Sequence, residues 1–279
     1  MLVSGFRKET YGQGLIFLTL LVTAYAVKAD VCSPVTLGSR AGLESSEWTE
    51  FSDAGARVVR ETGHLRSTGL VAGLRCSAIE FGLDSSRSQG QRHYVGVTNR
   101  QNLVETVSDI DSRLLSGDLI YSINSDWAVG LKAEQRTTHR TIRTTSEAAG
   151  YPERFESLTF FSGARYRHAL KEDLFFSVEG WLGRGGPGTV WLDLPNAEPA
   201  ELALGRSHAA QVGITFGKRH VHPSGKGWDW STQLNYSAMT THAGPQTALF
   251  RAGRVVAVAN QPKTEIKTVG LYASVVYSF

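Results

Sequence analysis

The chain predicts an all-β fold: a transmembrane antiparallel β-barrel of about ten strands, with eight as the alternative count, following a cleaved signal peptide. Three observations carry this expectation. Residues Glu265 to Phe279 place Val269, Leu271, Ala273, Val275, Tyr277 and Phe279 on one parity. Thr268, Gly270, Tyr272, Ser274, Val276 and Ser278 occupy the other. Side chains of a strand alternate between faces, so this segment has one apolar face, suited to lipid, and one small or polar face. The second observation is an N-terminal export pattern, and the third is a series of strand candidates joined by alternately short and long connections.

At the N-terminus, Arg7 and Lys8 precede the apolar run Leu15 to Ala26, and Val27-Lys28-Ala29 offers small residues for cleavage before Asp30. This predicts a signal peptide over 1–29 and a barrel domain over 30–279. The run is too short to span a bilayer comfortably, and no other stretch approaches the ~20 apolar residues a spanning helix needs. Asp30-Val31 before Cys32 lacks the small residues of a lipid-attachment site. Removing Arg7, Lys8, Lys28 and Glu9 from 29 basic and 26 acidic residues leaves 26 against 25, without the basic excess of a nucleic-acid binder. A mean hydropathy of -0.17 suits strands apolar on one face only. Cys32 and Cys76 are either a periplasmic disulfide or two free thiols, since sequence does not fix their separation.

Along the mature chain, Val35, Leu37, Ser39, Ala41 and Leu43 begin the first strand, and Ser52-Asp53-Ala54-Gly55 ends it in a turn. A weaker second strand covers Ala56 to Leu65. Arg66-Ser67-Thr68-Gly69 reads as the next turn, and Leu70 to Leu83 as a third strand with a bulge near Ser77, where the apolar parity shifts. Asp84 to Val107 reads as a long polar connection. The fourth strand runs near Asp109 to Ile123. Asn124-Ser125-Asp126 turns into a fifth, marked by Trp127, Val129, Leu131 and Ala133, whose polar continuation to Thr145 projects beyond the membrane. Leu158 to Tyr166, Leu174 to Leu182, Ala210 to Phe216 and Trp228 to Tyr236 mark strands six to nine, and the terminal strand is the tenth. Counting back from Phe279 assigns turns near Ser67, Ser125, Glu172 and Ser224 to the periplasm, and 84–107, 146–154, 194–200 and 244–262 to the outside. Trp127, Tyr166, Trp228, Trp230, Tyr277 and Phe279 fall where an aromatic girdle is expected.

The alternating last strand with its terminal Phe279 resembles the endings of bacterial outer-membrane β-barrel proteins. The resemblance implies a Gram-negative membrane protein of the cell outer membrane, porin-like in wall construction. It implies as partners outer-membrane lipid, lipopolysaccharide and the barrel-assembly machinery, the last through the C-terminal strand as sorting signal. It covers architecture and names no subfamily.

The inward parity carries Arg40, Glu44, Lys132, Glu134, Arg165, Arg167, Glu179 and Asp229. In so narrow a barrel, mixed charges are expected to pair and fill the interior; the alternative is an ion-conducting lumen. Gly183, Gly185 and Gly188 match a dinucleotide-binding spacing, but Pro187 and Thr189-Val190-Trp191-Leu192 predict strand where that motif needs a helix. His220 and His222 lack further ligands nearby for a zinc set. Asp109 and Asp111 share a face and would need His93 or His139 beside them to act at an outer rim. Arg136, Arg140 and Arg143, interleaved with threonines, suggest a basic outer extension that meets lipopolysaccharide phosphates, or a solvated strand edge. No catalytic, cofactor-binding or metal-ligating residue is assigned. The expected function is that of a non-enzymatic integral barrel with a structural or surface-contact role through its outer loops. The alternatives are an outer-membrane enzyme acting on lipid or peptide at the outer rim, and a small pore.

Overall fold

The structure of this chain, a computed structural model, describes residues 32–97, 102–170, 173–221 and 226–279. The expected signal peptide and its cleavage site lie outside the described residues, as do Asn99, Arg100, Lys171, Glu172 and His222. Ten strands form a closed antiparallel barrel. They are β1 (Cys32–Phe51), β2 (Arg57–Cys76), β3 (Ile79–Val97), β4 (Leu103–Ser122), β5 (Trp127–Ile142), β6 (Pro152–Ala169), β7 (Leu174–Gly185), β10 (Ser207–Val221), β11 (Gly227–Thr241) and β14 (Lys263–Ser278). Four short strands belong to the loops: β8 (Thr189–Leu192), β9 (Ala200–Ala203), β12 (Thr247–Arg251) and β13 (Arg254–Ala259). β1 closes the cylinder against β14, from Thr36 opposite Ser278 to Phe51 opposite Lys263.

The register fixes the shape. Followed strand by strand from Leu37, it passes through Ala72, Leu83, Gly117, Ala133, Phe160, Arg184, His208, Thr240 and Glu265. It returns to β1 at Thr49, twelve residues along from its start. That stagger over ten strands tilts each by about 40° from the axis. Val35 to Leu43, Leu115 to Ile123, Leu158 to Tyr166 and Val269 to Tyr277 carry the outward apolar residues of their strands, most of them exposed. Nine residues at this tilt climb about 23 Å, close to the height of a membrane-facing band. Trp127 and Tyr166 pack at 5.0 Å, and Trp228, Tyr277 and Phe279 at 4.9 Å, beside the end with the tight turns. There the Asn124 side chain accepts the backbone N–H groups of Asp126 and Trp127 at 2.9 and 2.8 Å.

Four expectations for the N-terminal half are corrected. Arg66 to Gly69 is the middle of β2 and not a turn, so the turn expected near Ser67 lies ten residues later. The third strand expected over Leu70 to Leu83 is parts of two strands, because the chain reverses at Ser77 and Ala78, with Cys76 opposite Ile79. The parity shift near Ser77 is this reversal and not a bulge; Ser77 takes a left-handed φ of 57°. The long connection expected over 84–107 is the upper part of β3 and the start of β4, paired from Asp84 opposite Ser116 to Val97 opposite Leu103. Its polarity reflects height: above the apolar band the outer face meets water while the inner face meets a polar lumen, so neither alternates in hydropathy. Cys32 and Cys76, left open by the sequence, form a disulfide across the β1–β2 ladder, with Cα atoms 4.0 Å apart.

Candidate functional site

The lumen is built from the inward parity of each strand, and most of the expected charges pair there, along the wall or across it, while Arg167 forms no ion pair among the described residues. Toward the turn end, Arg165 reaches Glu80 at 3.2 Å and Glu179 at 3.3 Å, Arg167 lies over the Phe175 ring, and Arg219 reaches Asp229 at 3.4 Å. At mid-height Arg40 pairs with Asp84 at 2.9 Å and Lys132 with Glu134 at 3.0 Å. Glu44 accepts bonds from Ser88 at 2.7 Å and Tyr272 at 3.0 Å. A cavity of about 60 Å³, lined by Ser46, Arg92, Ser112, Arg136, Thr138 and Gln211 among others, lies in this interior. Such a space holds a few waters and no sizeable ligand.

Above it sits a second network. Arg140 is buried (2% exposed) and reaches Glu50 at 2.9 Å, Glu61 at 3.2 Å and Glu153 through its Nε. Its guanidinium also lies over Trp48, 4.8 Å from the ring centre, and over Phe155 at 5.3 Å. Arg92, equally enclosed, donates to Ser46 at 2.8 Å and stands 3.6 Å from Glu61. Burial alone would lower the Arg140 pKa, but the three carboxylates hold it well above its ordinary value. For Arg92 burial prevails and brings the pKa to about 10. Burial pushes the Glu153 carboxyl up to about 7, against the pull of Arg140. Three carboxylates face two guanidiniums, so one negative charge is in excess only when Glu153 is ionised.

An apolar plug closes the mouth over this network. Trp48, Phe155, Val190, Leu192, Leu202, Leu204 and Leu249 form one buried cluster, drawn from β1, β6, β8, the segment around β9, and β12. β8 continues the wall by pairing with β6, Glu153 opposite Leu192, and β9 pairs with β8. The loops expected over 194–200 and 244–262 therefore fold partly inward as a lid. Sequence alternation does not reveal this lid, because β8 and β9 are only four residues each.

The rim candidates lie elsewhere. Asp109, Asp111, His93 and His139 sit on the outward parity of β3 to β5, above the apolar band. Arg143 grips Asp109 through two bonds of 2.8 and 2.7 Å, and Arg87 bonds Asp111 at 2.9 Å. Each guanidinium hydrogen bond holds its aspartate below the usual carboxylate range. His139 stands opposite Asp111 in register, while His93 faces Val107 and comes no closer than 3.8 Å to Glu105. The structure thus gives both aspartates an arginine partner and sets His139 beside Asp111 with no hydrogen bond between the two. The basic outer extension is also corrected: Arg136 and Arg140 point into the lumen, where they meet Glu134 and the buried glutamates, and Arg143 alone of the three faces outward. The side chain of His220 lies outside the described residues, so the His220 and His222 pair has no described geometry.

No protein-family model matches the chain, and no curated protein matches it. Among solved structures it is similar to the outer-membrane protease OmpT from Escherichia coli, at 11% identity and a TM-score of 0.56, covering 88% of this chain and 97% of that one. Neisserial surface protein A matches at 12% identity and a TM-score of 0.37, covering 87% and 97%. The outer membrane protein OprG from Pseudomonas aeruginosa matches at 10% and 0.39, covering 88% and 97%. These neighbours are bacterial outer-membrane β-barrels, and at such identities the likeness is one of fold.

Proposed function

We propose that this protein is an integral outer-membrane barrel with a sealed lumen, which acts as a non-enzymatic surface-contact protein through its loop end. The observation that carries the reading is the apolar plug around Trp48, Phe155 and Leu202 seated on the buried Arg140 network. A barrel blocked in this way offers its partners an outer surface and no passage. The tall wall of β2 to β5 lifts that surface above the apolar band, and the turn end is the periplasmic one in this reading. An enzyme at the rim would need a histidine within hydrogen-bond reach of a carboxylate, and arginines occupy Asp109 and Asp111 instead.

Outer-membrane lipid and lipopolysaccharide are the proposed surroundings of the wall. Arg87 and Arg113 stand directly opposite each other on the outward face, over a shallow groove of about 500 Å³ that Leu70 and Leu115 also line. Arg87 is already neutralised by Asp111, which leaves Arg113 as the charge that a lipid phosphate at this height would meet. Targeting by a signal peptide over 1–29 and delivery through the C-terminal strand to the assembly machinery belong to the same proposal.

The test combines location with conductance. Expressed in a Gram-negative host, the protein is expected in the outer membrane fraction, with heat-dependent gel migration and with the 244–262 segment open to added protease on intact cells. In planar bilayers it is expected to pass no steady current. A soluble product or sustained single-channel conductance would overturn the reading.

A further inference from the structure

Residues Thr247 to Ala259 fold as a separate two-stranded sheet, β12 with β13, over the plugged mouth. Ala252 and Gly253 both take left-handed φ values, 50° and 72°, and reverse the chain tightly between Arg251 and Arg254. The base of the hairpin is anchored. Leu249 is buried in the plug, Ala259 packs against it, and the Glu198 backbone N–H donates to the Phe250 carbonyl at 2.7 Å. The Glu198 carboxylate accepts the Gly253 N–H at 3.3 Å. β12 is thus covered by the preceding loop, whereas β13 has a ladder on one side. Among the described residues no backbone bond reaches its other edge.

The side chains on this ribbon are unusual for a loop in water. Val255, Val256 and Val258 are 59%, 49% and 58% exposed, and Phe250 is 44% exposed. Phe250 lies opposite Val255, and Ala248 opposite Val258, so these apolar groups share the face turned away from Leu249. Arg251 and Arg254 face each other at the tip, and among the described residues neither has an acidic partner. β13 has one irregularity, at Val256, but no proline and no inward charge, and its valine-rich edge is a template for another strand.

We infer that β13 is a docking edge for an extended, partly acidic segment of another polypeptide, which adds to the hairpin as a third strand. The incoming backbone would pair the free N–H and C=O groups, its apolar residues would cover Phe250, Val255 and Val258, and a carboxylate would meet Arg251 and Arg254. The inference rests on the surface-contact reading and names its partner class. A lipid surface would cover the valines but leave the edge unpaired in hydrocarbon, which is costly. A second copy paired antiparallel through β13 would set Arg254 against the Ala259 end of its partner and bring no carboxylate to either arginine.

The full-length protein, folded in detergent, is titrated with a short fluorescein-labelled peptide of alternating Val and Thr with an Asp at each end. Saturable binding is expected, weakened roughly tenfold by the double variant Arg251→Glu, Arg254→Glu. A peptide ending in Lys should bind that double variant more tightly than it binds the native protein, which shows that the altered hairpin is still formed. A peptide with Pro at alternate positions should not bind. Absence of saturable binding to the native protein, equal binding of the Pro peptide, or indifference to the charge reversal would overturn the inference. So would binding to phosphatidylglycerol vesicles, or self-association lost in Val258→Asp, in place of peptide binding. Because the titration reads the hairpin in purified protein, its failure leaves the location and conductance results standing, and their failure leaves it interpretable.

Discussion

Trp181 lies flat against the β6 backbone because the residue opposite it is Gly163; a methyl group there would sit 2.5 Å from the indole ring. The Tyr272 ring covers Gly42 in the same way across the β1–β14 seam. Gly163→Ala is therefore expected to destabilise the barrel by about 1–3 kcal/mol, read as a lower denaturant midpoint for the loss of heat-dependent migration. Glu153 gives a pH prediction. Its pKa is raised from 4.5 to about 7 in the folded protein, so between those values the folded state holds more protons than the unfolded one. Stability from this group is complete below about pH 4.5 and is lost as pH rises through about 7, with a slope of at most about 1.4 kcal/mol per pH unit. Glu153→Gln should remove that part of the slope, and identical pH profiles for the two proteins would contradict the assignment. The inward position of Arg140 was legible in principle. Trp127, Val129, Leu131 and Ala133 face outward, and carrying their parity up the strand sends Arg136 and Arg140 inside and Arg143 outside. The carboxylates that await Arg140 come from β1, β2 and β6, and strand periodicity does not reveal them.

At the scale of elements, what the sequence revealed depended on lipid. Where a strand crosses the apolar band, one face must be greasy, and β5, β6, β7, β10, β11 and β14 were readable for that reason. β3 has only Ile79, Phe81 and Leu83 as outward apolar residues before both faces turn polar, so its upper part looked like a loop. The backbone ladder is indifferent to side-chain polarity and runs on through Gln89, opposite Arg66 on one side and Asp111 on the other. Gln89→Pro discriminates between the two descriptions. A strand paired on both edges cannot spare its N–H, so the variant should fail to reach the heat-modifiable form, whereas a loop would accept the proline. The reversal at Ser77 was hidden for a different reason. It is made by Ser77 and Ala78, without the Asn-Gly or Asp-Gly that marks a two-residue hairpin, and the adjoining disulfide helps hold the two strands at this point.

At the scale of the whole molecule, the count of ten strands was correct although two boundaries were not, because misplacing a turn inside β2 was offset by missing the true one at Ser77. In the sealed-lumen reading proposed above, the lid is what stops the passage of ions. Replacing residues 189–204 with a short Gly-Ser connection should admit ions that the native protein excludes, seen as current in planar bilayers, while the barrel keeps its heat-dependent migration. If that variant stays silent, the charged layers around Arg165 and Lys132 are themselves a sufficient barrier. The seam between β1 and β14 has a consequence for biogenesis. It joins Thr36 to Ser278, nearly the full span of the described chain, so the cylinder cannot lock until its final strand has been made. Every earlier intermediate carries two raw edges, and the entropy of bringing such distant partners together falls on a single late event. Assembly of this barrel should therefore be slow and nearly all-or-none, with a nascent chain lacking β14 left open and in need of escort.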